Sequence, residues 1–339
     1  MQSKNPQPSK DKTKLLTILK WLWLVLVIVG AGYYFFEHRV EVIDLINHIS
    51  IFRIIASLLL LLIGKLLIVL LVQLSLQAEG WSQAYVKTIG LYGVTSLGKY
   101  IPGGVWHFVG RFGAYRMHGF NTKQITRSFI LENYWLLSSA AVVGLVAVCM
   151  SRFDLVSQLL NIQITTQSAL LICALVIGLW VISLLLINRH FQKYVAGKIA
   201  SVWFIIPVSL LLWILIGLSF FSMFPALKLS QSIPYIGGYA LSWSVGYVAV
   251  FAPGGIGVRE AVLALVFASI APVETIAVYA AMNRVIWLVA ELIFGMVGII
   301  QKQEIMPKFP QKSEIEPDNQ QDVDPPELPE LEDPSGPEL

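Results

Sequence analysis

Cysteine is nearly absent. Cys149 and Cys173 are the only two in 339 residues, and both sit in apolar runs with no CxxC spacing and no histidine beside them. That argues against a disulfide framework and against a metal centre. Charge is scarce too: Lys, Arg, Asp and Glu make up 13% of the chain against 56% hydrophobic residues. With a mean hydropathy of +0.70, this excludes a soluble globular domain and gives the fold class as an all-α polytopic membrane protein. No catalytic triad, P-loop, dinucleotide fingerprint or metal spacing appears, so the expectation is no cofactor, no metal, no nucleic acid and no convincing catalytic nucleophile.

The body of the chain also has few acidic residues. Residues 313–339 hold ten Asp or Glu and no Lys or Arg, leaving 24 basic against 11 acidic residues in the remainder, a net of about +13. Cytoplasmic loops and anionic lipid surfaces draw on such an excess. Residues 1–14 carry Lys4, Lys10, Lys12 and Lys14 and precede an apolar run over about 15–36. The run is long enough to span a bilayer and reads as a signal anchor rather than a cleaved peptide. Beyond Pro310 the tail is Pro, Glu, Asp and Gln, too polar to bury a core.

Three regions follow: a cytoplasmic segment 1–14, a transmembrane domain 15–300 with repeat halves at about 51–150 and 202–300, and a disordered acidic cytoplasmic tail 301–339. Further spans are expected at about 51–77, 128–150, 169–186, 202–224 and 275–300, six in all with the first. Residues 111–127 (Arg111, Arg116, His118, Lys123, Arg127) and 188–198 read as basic cytoplasmic loops, and 151–168 as an outer loop. The expected location is the plasma (inner) membrane, with both termini cytoplasmic.

Two stretches break the apolar pattern. One is Tyr100-Ile-Pro-Gly-Gly-Val-Trp-His-Phe-Val-Gly-Arg111, the other Phe251-Ala-Pro-Gly-Gly-Ile-Gly-Val-Arg-Glu260. A shift of 151 lays Pro102 on Pro253, Gly103-Gly104 on Gly254-Gly255, and Glu132-Asn133 on Asn283-Arg284. Unwound backbone at membrane depth survives only where protein buries it or a wet cavity hydrates it. The expectation is two re-entrant broken helices, over about 81–100 and 234–270, in an inverted-topology repeat sharing a central site.

Backbone N–H groups freed after Pro-Gly-Gly favour an anion such as a phosphate, and Arg111 and Arg259 follow close behind the breaks. For Arg259 the competing reading is an ion pair with Glu260 or Glu291, and for Arg111 a loop cation reaching for headgroups. Glu132, Arg284, Glu291 and Lys65 are ionisable groups inside spans, where a partner or a wet cavity is expected. Arg284 and Glu291, seven residues apart, fall on one helical face. His107 beside Trp106 reads as a packed neighbour. The candidate substrate-binding set is therefore Arg259, Gly254, Gly255, Gly103, Gly104, Arg111, Glu132, Arg284, Glu291 and Lys65.

With Ser96-Leu-Gly-Lys-Tyr-Ile-Pro-Gly-Gly104, Glu132 and Ala252-Pro-Gly-Gly-Ile-Gly-Val-Arg-Glu260 in view, the chain resembles the flippase-like family of lysylphosphatidylglycerol-synthase transmembrane regions over about 15–300. The better-known members join this region to a soluble aminoacyl-transferring domain, which has no counterpart here. The resemblance implies translocation of an anionic phospholipid or isoprenoid-linked amphiphile between leaflets, with membrane lipids as partners. Asn133 departs from the arginine expected after the glutamate. A membrane-embedded transferase acting on a lipid phosphate, and an accessory subunit of a lipid or envelope-polysaccharide enzyme, are the alternatives.

Overall fold

The computed structural model describes residues 29, 32, 33, 36, 37, 39–47, 49–100, 105–161, 165–224, 228–249, 252–268 and 270–301. All belong to the first of two units, Met1–Met306 and Pro307–Leu339. The expected first span and the acidic tail lie largely or wholly outside them, as do Gly103 and Gly104.

Among the described residues, five helices are long and apolar enough to cross a membrane. They are α2 (Ile51–Ala78), α5 (Thr122–Ser151), α7 (Thr166–Gln192), α8 (Val202–Phe221) and α11 (Val273–Ile300). About 20 residues at 1.5 Å each cover the ~30 Å of bilayer hydrocarbon. Local chemistry sets their starts. The Ser50 hydroxyl accepts from the Phe52 amide ahead of α2, at 3.3 Å. Ahead of α5, Asn121 and Gln124 exchange side-chain to backbone bonds of 3.0 and 2.9 Å, and Thr165 and Ser168 make the same box before α7. Pro272, which cannot donate an amide, immediately precedes α11.

The remaining helices are shorter: α1 (Arg39–Asn47), α3 (Tyr85–Ser96), α4 (Trp106–Met117), α6 (Phe153–Leu160), α9 (Ser232–Val248) and α10 (Val258–Phe267). Twelve residues, the length of α3 and of α4, give about 18 Å. A tight turn Leu97–Tyr100 extends α3, and α4 folds back on it. Likewise α9 and α10 pack on each other across Pro253–Gly255. Gly254, Gly255 and Gly257 have φ of 62°, 70° and 85°, a left-handed run that side chains with a Cβ resist.

Two loop expectations need correction. Residues 111–127 are not an extended cytoplasmic loop: α4 runs through Arg111 to Met117, and α5 starts at Thr122. The helix forms because the segment has an apolar side to bury, with Tyr115 fully enclosed against Trp81 and Phe129. The expected outer loop 151–168 contains α6, an apolar-periodic turn pair closed by Asn161 in the left-handed region, φ 53°.

Packing follows small residues. α3 runs along α11 and α9 along α5. A Cβ on Gly93 would lie 2.2 Å from the Phe294 carbonyl oxygen, and one on Gly298 would lie 2.2 Å from that of Gly90. In the other pair, a Cβ on Gly144 would meet the Leu241 backbone at 2.7 Å, and one on Gly237 the Ala147 methyl at 2.3 Å. Backbones this close replace the hydrophobic drive that lipid cannot supply between helices. Around them an aromatic core gathers Trp135, Trp213, Phe220, Tyr235 and Phe267. Its polar ends are satisfied: the Trp213 indole donates to Ser139 at 2.9 Å and that of Trp135 to Asn188 at 3.1 Å. Arg127 grips the buried Glu79 with two bonds of 2.7 and 2.6 Å, tying the end of α2 to the start of α5.

Candidate functional site

The charged residues inside this core are joined into one cluster. Lys65, carried by α2 and 1% exposed, donates to Glu291 Oε1 of α11 at 3.1 Å. Lys99, in the turn that closes α3, donates to the same oxygen. Both ammonium groups lie over the indole of Trp287, 4.8 and 5.4 Å from its centroid, where the ring face offsets part of the cost of burial. The Trp287 N–H donates to Tyr239 at 2.6 Å, and the Tyr239 hydroxyl donates to Asn283 Oδ1 at 2.7 Å.

Lys65 also faces Tyr92, and the other approach to that ring is taken by Arg111, 5.4 Å from the centroid. Arg111 is 5% exposed, bonded to Glu132 at 2.5 Å and to the Tyr115 hydroxyl at 3.0 Å. It is therefore not a loop cation reaching outward but one half of a buried pair. Asn133 stands where an arginine was expected. It bonds Glu132 through its amide and accepts from Tyr247, so Glu132 is balanced from α4 instead.

Tyr247 stacks on Trp243 at 5.0 Å, and over Trp243, 5.6 Å from the centroid, lies Arg259. Its side chain threads between glycines: a Cβ on Gly246 would meet Arg259 Cγ at 2.5 Å, and one on Gly255 would meet its Nε at 3.0 Å. The competing expectation for this arginine is corrected here. Glu260 is 2.6 Å from Arg284, and its other oxygen caps the Gly257 amide at 2.8 Å. Glu291 serves the two lysines. Among the described residues no carboxylate lies within ion-pair distance of Arg259, and its Nε is buried with no hydrogen-bond partner. Arg284 and Glu291 share a helix face but bond different elements.

Three further buried polar atoms around this cluster lack a partner: Asn283 Nδ2, Glu291 Oε2 and His107 Nδ1. Buried polar groups are as a rule satisfied by protein or by water, so these orphans set this region apart from the rest of the core.

Of the expected residues, the structure thus brings together Lys65, Glu291, Arg111, Glu132, Arg259, Arg284, Gly254 and Gly255. Lys99, Tyr92, Tyr239, Trp243, Tyr247 and Trp287 belong to the same cluster without having been singled out. The shift of 151 that aligns the glycine turns also lays Tyr92 on Trp243, the two rings that carry Arg111 and Arg259. That register was the signal available for them. No three His, Cys, Asp or Glu side chains gather in a metal-ligating group among the described residues. Set against models of known families and against curated proteins, the chain matches none.

Proposed function

We propose that this protein moves an anionic lipid, a phospholipid or an isoprenoid-linked amphiphile, between the leaflets of the plasma (inner) membrane, in keeping with its resemblance to the flippase-like transmembrane regions. The observation that carries the reading is Arg259. A guanidinium held among membrane-spanning helices with an unpartnered Nε and, among the described residues, no carboxylate within ion-pair distance is expensive unless an anion completes it. Beside it the left-handed glycine run removes the side chains that would crowd the guanidinium, while the Gly255 and Gly257 amides already donate, to the Ala252 carbonyl and to Glu260, which leaves the arginine itself as the anion-binding group. A forked guanidinium suits phosphate oxygens.

In this reading the two helix pairs around the glycine turns are re-entrant elements of an inverted-topology repeat, with both chain termini cytoplasmic. What supports the repeat is reciprocity of packing. α3, the first helix of one short pair, lies on α11, the long helix that follows the other pair, and α9, the first helix of that pair, lies on α5, the long helix that follows the first. The shift of 151 lays Gly144 on Gly295 and Ala147 on Gly298, the small residues that allow the two close contacts. A site between inverted halves can open to one side and then the other.

The test is lipid translocation in reconstituted vesicles, read as protection of a fluorescent anionic phospholipid from an impermeant quencher. Arg259→Gln is expected to fold and to lose about ten- to a hundredfold in transport, the effect of one charge-assisted contact. Arg259→Lys should recover part of the loss, and Gly255→Leu should block the site. Normal transport by Arg259→Gln would overturn the proposal.

A further inference from the structure

Resting on that reading, we infer that the transported headgroup carries two negative charges. The joined cluster contains five cations, Lys65, Lys99, Arg111, Arg259 and Arg284, and three carboxylates, Glu132, Glu260 and Glu291. Glu132 neutralises Arg111, and Glu260 neutralises Arg284. Glu291 accepts from both lysines through a single oxygen, so one carboxylate meets two ammonium groups. The excess is two positive charges: one in the Lys65–Lys99 pair, the other at Arg259.

Position matters as much as number. Lys99 lies in the turn that closes α3 and Arg259 in the first turn of α10, each beside a different tryptophan, Trp287 and Trp243. Uncompensated charge among apolar helices costs far more than in water, so the bound state that satisfies the site is the one that supplies an anion to each. A zwitterionic headgroup leaves the excess untouched, and a single phosphodiester leaves one charge unmet. A phosphomonoester, a diphosphate or a lipid bearing two phosphodiesters meets both. These share one chemistry, a dianion of phosphate oxygens.

The cluster supplies its own probe, because Trp243 and Trp287 lie directly beneath the unmet cations. Tryptophan fluorescence of the full-length chain in detergent is titrated at neutral pH with dioleoyl phosphatidylglycerol, dioleoyl phosphatidic acid, an isoprenyl diphosphate and cardiolipin. At least one dianionic lipid is expected to bind about ten- to a hundredfold tighter than phosphatidylglycerol. Preference for phosphatidic acid or the diphosphate identifies a terminal phosphate as the source, and preference for cardiolipin identifies paired diesters. Either outcome supports the inference. Arg259→Gln, which lowers the excess to one, should erase the discrimination, and Arg259→Lys should keep it. If phosphatidylglycerol binds as tightly as every dianionic lipid and is transported, the inference fails while the transport reading stands. If no anionic lipid binds or moves, the transport reading fails and takes the inference with it.

Discussion

The two halves of the molecule treat the same feature differently. Each lays an arginine over an aromatic ring of the preceding short helix, Arg111 of α4 over Tyr92 of α3 and Arg259 of α10 over Trp243 of α9. In the first half the cation is neutralised by Glu132. In the second, the position that the shift of 151 lays on Glu132 is Asn283, an amide whose own Nδ2 is buried without a partner. One arginine is paired with a carboxylate, and the other has an Nε buried without a partner. The difference teaches that two similar arginine–aromatic arrangements need not share a charge balance: Glu132 pairs with Arg111, whereas Glu260, next to Arg259 in the chain, is taken by Arg284.

The comparison predicts unequal costs of breaking it. The largest effect is expected for Glu132→Ala, which leaves Arg111 buried without its carboxylate. A loss of about 3–5 kcal/mol should appear as a lowered unfolding temperature in detergent. The glycine contacts come next. Gly298→Ala and Gly144→Ala each push a methyl into a neighbouring helix backbone, at 2.2 and 2.7 Å, and should each cost about 1–3 kcal/mol. If one of them is silent, the close packing in the two halves is not equivalent. Smallest is the stability effect of Arg259→Gln, which breaks no ion pair and is expected to stay within about 0.5 kcal/mol of the parent. A destabilisation matching that of Glu132→Ala would remove the distinction between the two arginines.

Much of the scaffold was legible because the physics that sets it is local. Apolar runs of sufficient length announced the helices beginning at Ile51, Thr122, Thr166, Val202 and Val273, with ends displaced by a few residues where caps such as Asn121 and Thr165 extend them. The second glycine turn was legible because proline followed by two glycines interrupts a helix wherever it falls in an apolar stretch. Partner choice was not. Whether Arg259 meets Glu260, Glu291 or neither depends on which helices adjoin, and the answer turned on Lys99, 192 residues from Glu291. Arg111 looked like a loop cation because a count of basic residues does not reveal that Tyr115 and Phe112 give the same segment an apolar side.

The central proposal, that Arg259 binds the transported anion because no carboxylate among the described residues lies within ion-pair distance of it, is tested most directly by Asn283→Asp. The change is isosteric and preserves the hydrogen bond accepted from Tyr239, while adding a carboxylate to the cluster that holds Arg259. The measurement is translocation of an anionic lipid in reconstituted vesicles, with the unfolding temperature followed in parallel. The account predicts an unfolding temperature equal to or above that of the parent and a transport rate lowered by about tenfold or more. Transport at the parental rate by a folded Asn283→Asp protein would contradict it.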